Sequence, residues 1–266
     1  MVEFPREATA RDGASIQAPE VRLEGARLLF DGELLFENLS LTLPAGETTC
    51  LLGPSGVGKS SLLRLIAGLT EGAEGRVRDG EDRPLDGRIA YMAQQDLLLP
   101  WLRALDNVLL GYRLRGRPDR AQRERARALL ARVGLAGEER KRPAQLSGGM
   151  RQRVALARTL MEARPIVLMD EPFAALDAIT RSEMQDLAAG LLVGRTVLLV
   201  THDPLEALRL GHRVHVLAGR PARLDTEPIV PPGAPPRDAL GGGLLTLQGE
   251  LIQRLTRARA AAHRAA

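Results

Sequence analysis

The stretch Thr48-Thr-Cys-Leu-Leu-Gly53-Pro-Ser-Gly-Val-Gly-Lys59-Ser60 decides the fold of this 266-residue chain. Its second half fits the pattern G-x-x-x-x-G-K-[ST], between a short apolar strand and the helical pattern that begins at Lys59. Glycines in such a loop let successive backbone N–H groups point at phosphate oxygens. The start of the following helix favours the same anion. A glycine-rich turn without a ligand is the alternative, but the spacing predicts a phosphate-binding loop.

The loop pattern also assigns roles to side chains. Lys59 is expected to reach the β- and γ-phosphates of a nucleotide, and Ser60 to coordinate Mg²⁺. The residues predicted to bind the nucleotide here are Gly53, Pro54, Ser55, Gly56, Val57, Gly58, Lys59, Ser60 and Ser61.

Two continuous apolar runs, 165–169 and 196–200, predict parallel strands that are buried on both faces. A helix over about 178–192 separates them. Asp170 and Glu171 follow the first run, where Asp170 could hold Mg²⁺ beside the phosphate loop and Glu171 could polarise an attacking water. This acidic pair is a weak signal alone and a strong one together with the loop.

The rest of the chain frames this core. Alternating patterns at 21–43 and 213–225 predict hairpins, residues 76–93 add short strands, and 98–163 is helical. We therefore predict an α/β fold, a P-loop core with an antiparallel β flank and an inserted helical subdomain near 98–160. The predicted segments are a flexible tail over 1–20, the main domain over 21–225, and a Pro/Gly linker with a C-terminal helix over 226–266.

Composition narrows the function classes. A net charge of +4 with 44% hydrophobic residues is ordinary for a globular protein and argues against a mostly disordered chain. The single cysteine, Cys50, excludes an internal disulfide and a multi-cysteine zinc site, and we expect it in the core. The sequence lacks an apolar stretch of about 18 residues and the apolar core of a secretory signal. We therefore expect a cytosolic protein.

Several motifs, in order, resemble those of the nucleotide-binding subunits of ABC transporters, over roughly 21–225. The matching stretches are GPSGVGKSS for Walker A, YMAQQD for the Q-loop, LSGGM for the signature motif, IVLMDEP for Walker B with the catalytic glutamate, AALD for the D-loop and THD for the switch histidine. The signature motif usually ends in Gln, so Met150 departs from the family. Its side chain is not expected to contact phosphate.

The resemblance implies further site residues. Gln94, His202 and Glu171 would be catalytic, and spacing to Trp101 places the family glutamine at Gln94 rather than Gln95. Phe30 would lie under the adenine ring, with a core aromatic as the alternative. The Mg²⁺ ligands would be Ser60, Gln94 and Asp170, and the remaining nucleotide contacts Ser147, Gly148, Gly149 and Asp177.

The resemblance also implies how such a subunit works. Two copies would pair head to tail, so that Ser147 and Gly149 of one chain close the ATP held by the other. ATP would close the homodimer and hydrolysis would open it, which moves integral-membrane permease subunits and indirectly serves a solute-binding protein. The subunit would sit peripherally on the cytoplasmic face of the inner membrane, with no nucleic acid as partner.

Subfamily cues are weaker. LLLPWLRALDNVLLG and EPFAALDAITR resemble importers of nitrate, sulfonate and taurine. MAQQDLLLPW and VTHDPLEALRLGHR look closest to the branch thought to import hydroxymethylpyrimidine. The alternatives are a soluble ABC protein that acts on nucleic acid or ribosomes, and a P-loop kinase or GTPase. The LSGGM and THD segments argue against the kinase or GTPase, and the absence of long coiled-coil insertions argues against the soluble ABC protein.

Three further features leave two interpretations each. His212 and His215 form a metal pair or lie at strand ends, and the arginines of 113–127 meet an anionic surface or form a solvated helix face. The apolar stretch 97–101, with Trp101 and the nearby Tyr112, forms a groove for a permease helix or packs inside the helical subdomain.

Overall fold

The structure is a computed structural model that describes residues 18–225, 227–238 and 242–264. The predicted N-terminal tail falls almost wholly outside these residues. The strands are β1 Val21–Phe30, β2 Glu33–Leu43, β3 Thr48–Leu52, β4 Glu74–Asp79, β5 Ile89–Met92, β6 Ile166–Asp170, β7 Thr196–Val200, β8 Arg213–Ala218 and β9 Arg223–Leu224. The α-helices are α1 Lys59–Ile66, α2 Ala104–Val108, α3 Leu110–Arg115, α4 Arg120–Arg132, α5 Gly148–Met161, α6 Ala178–Leu192, α7 Pro204–Leu210 and α8 Gly242–Arg264.

The strands form two sheets. One has the order β5-β6-β7-β3-β8-β9 and the other the order β2-β1-β4. In the larger sheet the strands from β5 to β8 are parallel, and every residue of β6 and β7 is buried, as their continuous apolar sequence predicts. The smaller sheet is antiparallel, and α2 to α5 lie between β5 and β6 in the chain. The predicted fold class is confirmed.

This topology collects the loops that carry the predicted site. Strands β5, β6, β7 and β3 are neighbours, and their register places Asp170 opposite Val200. Because parallel strands end at the same edge of a sheet, the segments that follow these four strands lie side by side.

The hairpin predicted for 21–43 is also present. Strands β1 and β2 pair from Val21 with Leu43 to Phe30 with Glu33. Asp31 and Gly32 connect them with φ values of 50° and 82°, the left-handed pair that a tight two-residue hairpin turn requires.

The C-terminal segment is packed, although its Pro- and Gly-rich composition suggested a linker. Ile229 exchanges backbone hydrogen bonds with Val214, at 2.8 and 2.9 Å. Helix α8 buries Leu244 and Leu251 in the main core. A segment rich in proline and glycine is predicted to lack regular secondary structure. Its composition does not predict whether the segment packs against the rest of the protein. The domain boundary at residue 226 stays a prediction.

The cysteine and the histidine pair singled out in the sequence have defined positions in the fold. Cys50 is fully buried, and burial raises the pKa of its thiol. His212 accepts a hydrogen bond from the Thr48 backbone at 2.9 Å, and His215 lies 3.2 Å from Asp225. In the part of the chain that the structure covers, no cluster of His, Cys, Asp or Glu is suited to a metal, so the metal-pair interpretation is wrong there. None of the described helices is long and apolar enough to cross a bilayer.

Candidate active site

The phosphate loop connects β3 to α1, and three of its glycines occupy positions where a side chain would clash or would strain the backbone. A Cβ at Gly53 would lie 2.4 Å from the carbonyl oxygen of Leu217 on β8. Gly56 and Gly58 have φ values of 79° and 104°, which side-chain-bearing residues rarely adopt. Val57 buries its side chain in the core, so that this residue can offer a ligand its backbone alone. The close approach of β8 and the left-handed φ values therefore favour glycine at three positions of the loop.

Lys59 is the buried cation of this loop. Its side chain is 7% exposed, and Nζ donates to the carbonyl oxygens of Gly53 at 2.7 Å and Pro54 at 2.9 Å. Burial lowers the pKa of Lys59, while the charges of Glu171 and Asp170 oppose that shift. Since carbonyl acceptors are neutral, they do not cancel the ammonium charge. The charge remains able to attract phosphate.

Asp170 ends β6 at the base of the loop. It is 2% exposed, and its Oδ1 is buried without a hydrogen-bond partner among the described residues. Burial raises the pKa of Asp170, and a hydrogen bond with the Ser60 hydroxyl opposes the rise. A buried, partly unsatisfied carboxylate beside a hydroxyl is a suitable ligand set for Mg²⁺, which prefers oxygen. The residues therefore fit the predicted metal.

Glu171 follows directly and faces two other predicted residues. Its Oε2 lies 3.1 Å from Nδ1 of His202 and 3.5 Å from Nε2 of Gln94. Its φ of 47° is strained for a residue with a side chain, and its N–H donates to the Val200 carbonyl at 2.9 Å. The strained backbone turns Glu171 away from the path of the buried strand. Gln94, the residue chosen from spacing over Gln95, makes this contact.

The signature segment begins helix α5. Ser147 caps α5 by accepting from the Met150 N–H at 3.2 Å, as its sequence position predicts. Gly149 is close to the D-loop, since a Cβ there would lie 3.4 Å from Leu176. Within the described residues, no hydrogen bond or ion pair joins 147–149 to the loop 53–61.

The two remaining predicted residues are at the surface. Asp177 caps α6, where its carboxylate accepts from the Thr180 N–H at 3.0 Å, and hydrogen bonding from Thr180 lowers its pKa. Phe30 ends β1 and is 60% exposed. The alternative interpretation of Phe30 as a core aromatic is wrong, and an open ring face is what stacking on a base requires.

Helix α5 holds the Q-loop through two arginines that sequence reasoning missed. Arg151 Nε lies 2.8 Å from Asp96 Oδ2. Arg158 donates to the carbonyl oxygens of Asp96 at 2.7 Å and Leu97 at 2.8 Å. A cleft of about 440 Å³ lies between these elements and includes Gln94 and Gly148 in its walls. The run Arg-Gln-Arg after the signature motif was the available signal, but it did not name a partner.

Glu206, on α7, is a second residue that sequence reasoning missed. It is 5% exposed and helps to line a small, partly open space of about 30 Å³, which Glu171 and His202 also line. Such a space holds about one or two waters. Burial raises the pKa of Glu206 from its ordinary 4.5 to about 7. A hydrogen bond with Thr201 lowers it and the Asp203 charge raises it by smaller amounts.

A pH dependence of stability follows from Glu206. Because its folded-state pKa is raised, the folded protein favours the protonated acid. Stability should fall as pH rises from 4.5 through about 7, by about 3 kcal/mol in total. Glu206→Gln should remove this part of the loss between pH 5 and pH 8 in urea unfolding. The exposed Glu183→Gln is the control, and an equal loss in wild type and Glu206→Gln would contradict the expectation.

Comparison with known proteins identifies the family of this chain. Residues 36–174 match the family described as ABC transporter. An uncharacterized ABC transporter ATP-binding protein of Haemophilus influenzae is 48% identical, over 88% of this chain and 98% of that protein. The aliphatic sulfonates import ATP-binding protein SsuB 1 of Rhodococcus jostii is 46% identical, over 84% of this chain and 88% of its own length. The aliphatic sulfonates import ATP-binding protein SsuB of Cupriavidus necator is 39% identical, over 97% of this chain and 87% of its own length.

A solved structure shares the architecture. The ATP-binding cassette MJ0796, in a dimeric post-hydrolysis state bound to ADP and Pi, superposes with a TM-score of 0.69 at 32% identity. The match covers 80% of this chain and 99% of that one.

Proposed function

The chain belongs to the ATP-binding subunits of ABC transporters, and from this premise we propose that it powers the import of a small solute through separate permease subunits. It is an ATPase whose hydrolysis is coupled to transport. The observation that carries the assignment of roles is the meeting of Lys59, Asp170, Glu171, His202 and Gln94 at one sheet edge. The alternative of an ABC protein acting on nucleic acid gains no support from these relatives.

The hydrolytic roles follow from this arrangement. The loop N–H groups and Lys59 bind and orient the phosphates of ATP. Glu171 accepts a proton from the water that attacks the γ-phosphorus. His202, 60% exposed at its side chain, and Gln94 both contact the Glu171 carboxylate, so they fix its direction. Phe30 stacks on the adenine. Mg²⁺, held by Ser60, Gln94 and Asp170, would neutralise charge on the β- and γ-phosphates.

A second copy of the chain completes the site. Ser147, Gly148 and Gly149 begin a helix whose N–H groups can meet the γ-phosphate, and among the described residues no hydrogen bond or ion pair joins them to the loop of their own chain. A head-to-tail homodimer brings each signature segment to the loop of the other copy. Asp177 would then lie at the dimer interface, because it directly follows Leu176, the residue that packs close to Gly149. The dimeric state of the MJ0796 structures supports this arrangement.

The transported solute is proposed at two levels. The names of the SsuB relatives support a sulfonate or another solute of the nitrate, sulfonate and taurine group. Hydroxymethylpyrimidine is the finer proposal, and it depends on the motifs MAQQDLLLPW and VTHDPLEALRLGHR. The subunit itself would act peripherally, on the cytoplasmic face of the inner membrane, and would meet the solute-binding protein through the permease alone.

The experiment that tests this function is reconstitution. The subunit is assembled with its permease and solute-binding protein in proteoliposomes, and ATPase rate and uptake are followed with taurine, an alkanesulfonate, nitrate and hydroxymethylpyrimidine. We expect one of these solutes to stimulate hydrolysis and to enter only with ATP. Stimulation by RNA or ribosomes, without uptake of any solute, would contradict an importer.

Trp101 is the proposed permease anchor. It is 66% exposed and follows Leu97, which is 57% exposed with a left-handed φ of 45°, so packing inside the helical subdomain is the wrong interpretation for both. Tyr112 differs, because it is half-buried and its hydroxyl donates to the Met161 carbonyl at 3.4 Å. The proposed contact therefore depends on Trp101 and Leu97.

Trp101→Ala should separate association from stability. Because the ring is mostly exposed, unfolding stability should change by less than about 0.5 kcal/mol. Loss of an aromatic anchor worth about 2 kcal/mol should weaken permease binding about 30-fold. Co-purification from solubilised membranes measures the second effect, with Val193→Ala, 80% exposed on another surface, as control. Undiminished permease recovery would remove Trp101 from the interface.

A further inference from the structure

The C-terminal segment meets α7, the helix that directly follows the switch histidine. Arg237, in this segment, is 9% exposed. Its guanidinium donates to the carbonyl oxygens of Leu208 at 2.9 Å and Gly211 at 2.8 Å, at the carboxyl end of α7. These carbonyls have no helical partners, and a cation is favourable there. The same side chain donates to the carbonyl oxygens of Pro231, Pro232 and Gly233.

The contact continues into α6 through Arg209. The backbone N–H of Arg237 donates to the Arg209 carbonyl at 3.0 Å, and Nε of Arg209 donates to the Arg237 carbonyl at 3.1 Å. The Arg209 guanidinium also donates to Gln185 Oε1 at 2.7 Å and Asp186 Oδ1 at 2.6 Å. Helices α6 and α7 are therefore tied together at the point where the segment docks.

The last link leads to the hydrolytic site. Gln185 Nε2 donates to Glu206 Oε2 at 3.1 Å. Glu206 helps to line the same small space as Glu171 and His202. One residue after His202, Asp203 caps α7 by accepting from the Leu205 and Glu206 N–H groups. A displacement of α7 would therefore move the loop that carries His202.

We propose that Arg237 is a positioning residue for ATP hydrolysis. Its guanidinium holds the carboxyl end of α7 through the carbonyls of Leu208 and Gly211. Gln185 ties the same helix to α6 through Arg209 and Glu206. Helix α7 in turn holds His202 against Glu171. The proposal rests on the roles proposed above for His202 and Glu171. It assigns the C-terminal segment a part in hydrolysis, and none of the hydrogen bonds described above includes a residue of the phosphate loop.

Arg237→Met in the full-length protein is the first test. It keeps much of the stem and removes the donors, so kcat should fall about 10-fold, since small displacements of catalytic groups are costly. KM for ATP should change by less than about twofold, because the phosphate contacts are untouched. Arg237→Lys should recover part of kcat. Arg257→Met, at an exposed position of α8, is the control and should match wild type.

Gln185→Leu provides a second variant that leaves Arg237 in place. It should lower kcat at unchanged KM, and the Arg237→Met, Gln185→Leu double variant should be no slower than the slower single variant. Effects that multiply would show independent actions and would overturn the relay. So would a wild-type kcat in either single variant. If Arg237→Met fails to fold, as judged by circular dichroism, the test depends on Gln185→Leu alone. A lowered kcat at unchanged KM would then support the relay, and a wild-type kcat would overturn it.

One more variant separates this inference from the site itself. If His202→Ala abolishes hydrolysis while Arg237→Met and Gln185→Leu keep the wild-type kcat, the inference fails and the site stands. If His202→Ala retains full activity, the proposed site fails, and the relay loses the residue on which it acts.

Discussion

Glu171→Gln is expected to slow ATP hydrolysis by about 10²–10⁴-fold, the range for the loss of a general base. The amide keeps the shape of the side chain and its contacts with His202 and Gln94, but it cannot accept the proton of the attacking water. Affinity for ATP should be unchanged, because Glu171 meets the water rather than the phosphates. Single-turnover phosphate release measures the rate, and calorimetry measures the affinity.

Glu124→Gln is a matched control on the outer face of α4, where Glu124 pairs with Arg120. It should hydrolyse ATP at the wild-type rate. A Glu171→Gln protein with ordinary turnover would take the general-base role away from this residue. The next carboxylates to test would then be Asp170 and Glu206.

Lys59→Ala has the other large expected effect, on binding. A charge-assisted contact with phosphate contributes about 1.5–3 kcal/mol, so the dissociation constant for ATP should rise roughly 10- to 100-fold. The lost interactions inside the protein are two hydrogen bonds to the carbonyls of Gly53 and Pro54. Unfolding stability should therefore fall as well, and it is measured beside affinity so that the loss of binding is assessed on folded protein.

The chain has one other lysine, Lys141, which pairs with Glu138 in the helical subdomain. Lys141→Ala removes the same charge and should bind ATP as wild type does. Calorimetry at fixed ionic strength compares the variants. An unchanged ATP dissociation constant in Lys59→Ala would show that the loop does not use its lysine for phosphate.

The catalytic edge could be predicted from sequence because each part carries a local signal. Apolar runs without alternation mark β6 and β7 as buried parallel strands. The glycine pattern marks the loop between β3 and α1. Once these strands are parallel and adjacent, Asp170, Glu171 and His202 must share an edge. The Glu171–His202 contact follows because β6 and β7 are neighbours in the sheet.

Contacts between distant segments could not be predicted in this way. Arg151 and Arg158 follow a glycine-rich motif, yet nothing local shows that they bind 96–97, more than 50 residues earlier. Arg237 lies among prolines and glycines that are typical of a linker, and its partners on α7 become neighbours only in the folded chain. For Trp101 and Phe30, residue type favours burial, and the exposed positions became clear only from the packing around them.

The measurement that tests the central claim most directly is the mass of Glu171→Gln by light scattering, with and without Mg-ATP. In the proposed dimer, ATP is bound between the phosphate loop of one copy and the Ser147 segment of the other. We therefore expect a mass of two chains with Mg-ATP and of one chain without it. Adding Ser147→Arg should leave ATP binding intact and keep the mass at one chain. A single chain at saturating ATP, or a dimer that survives Ser147→Arg, would contradict the account.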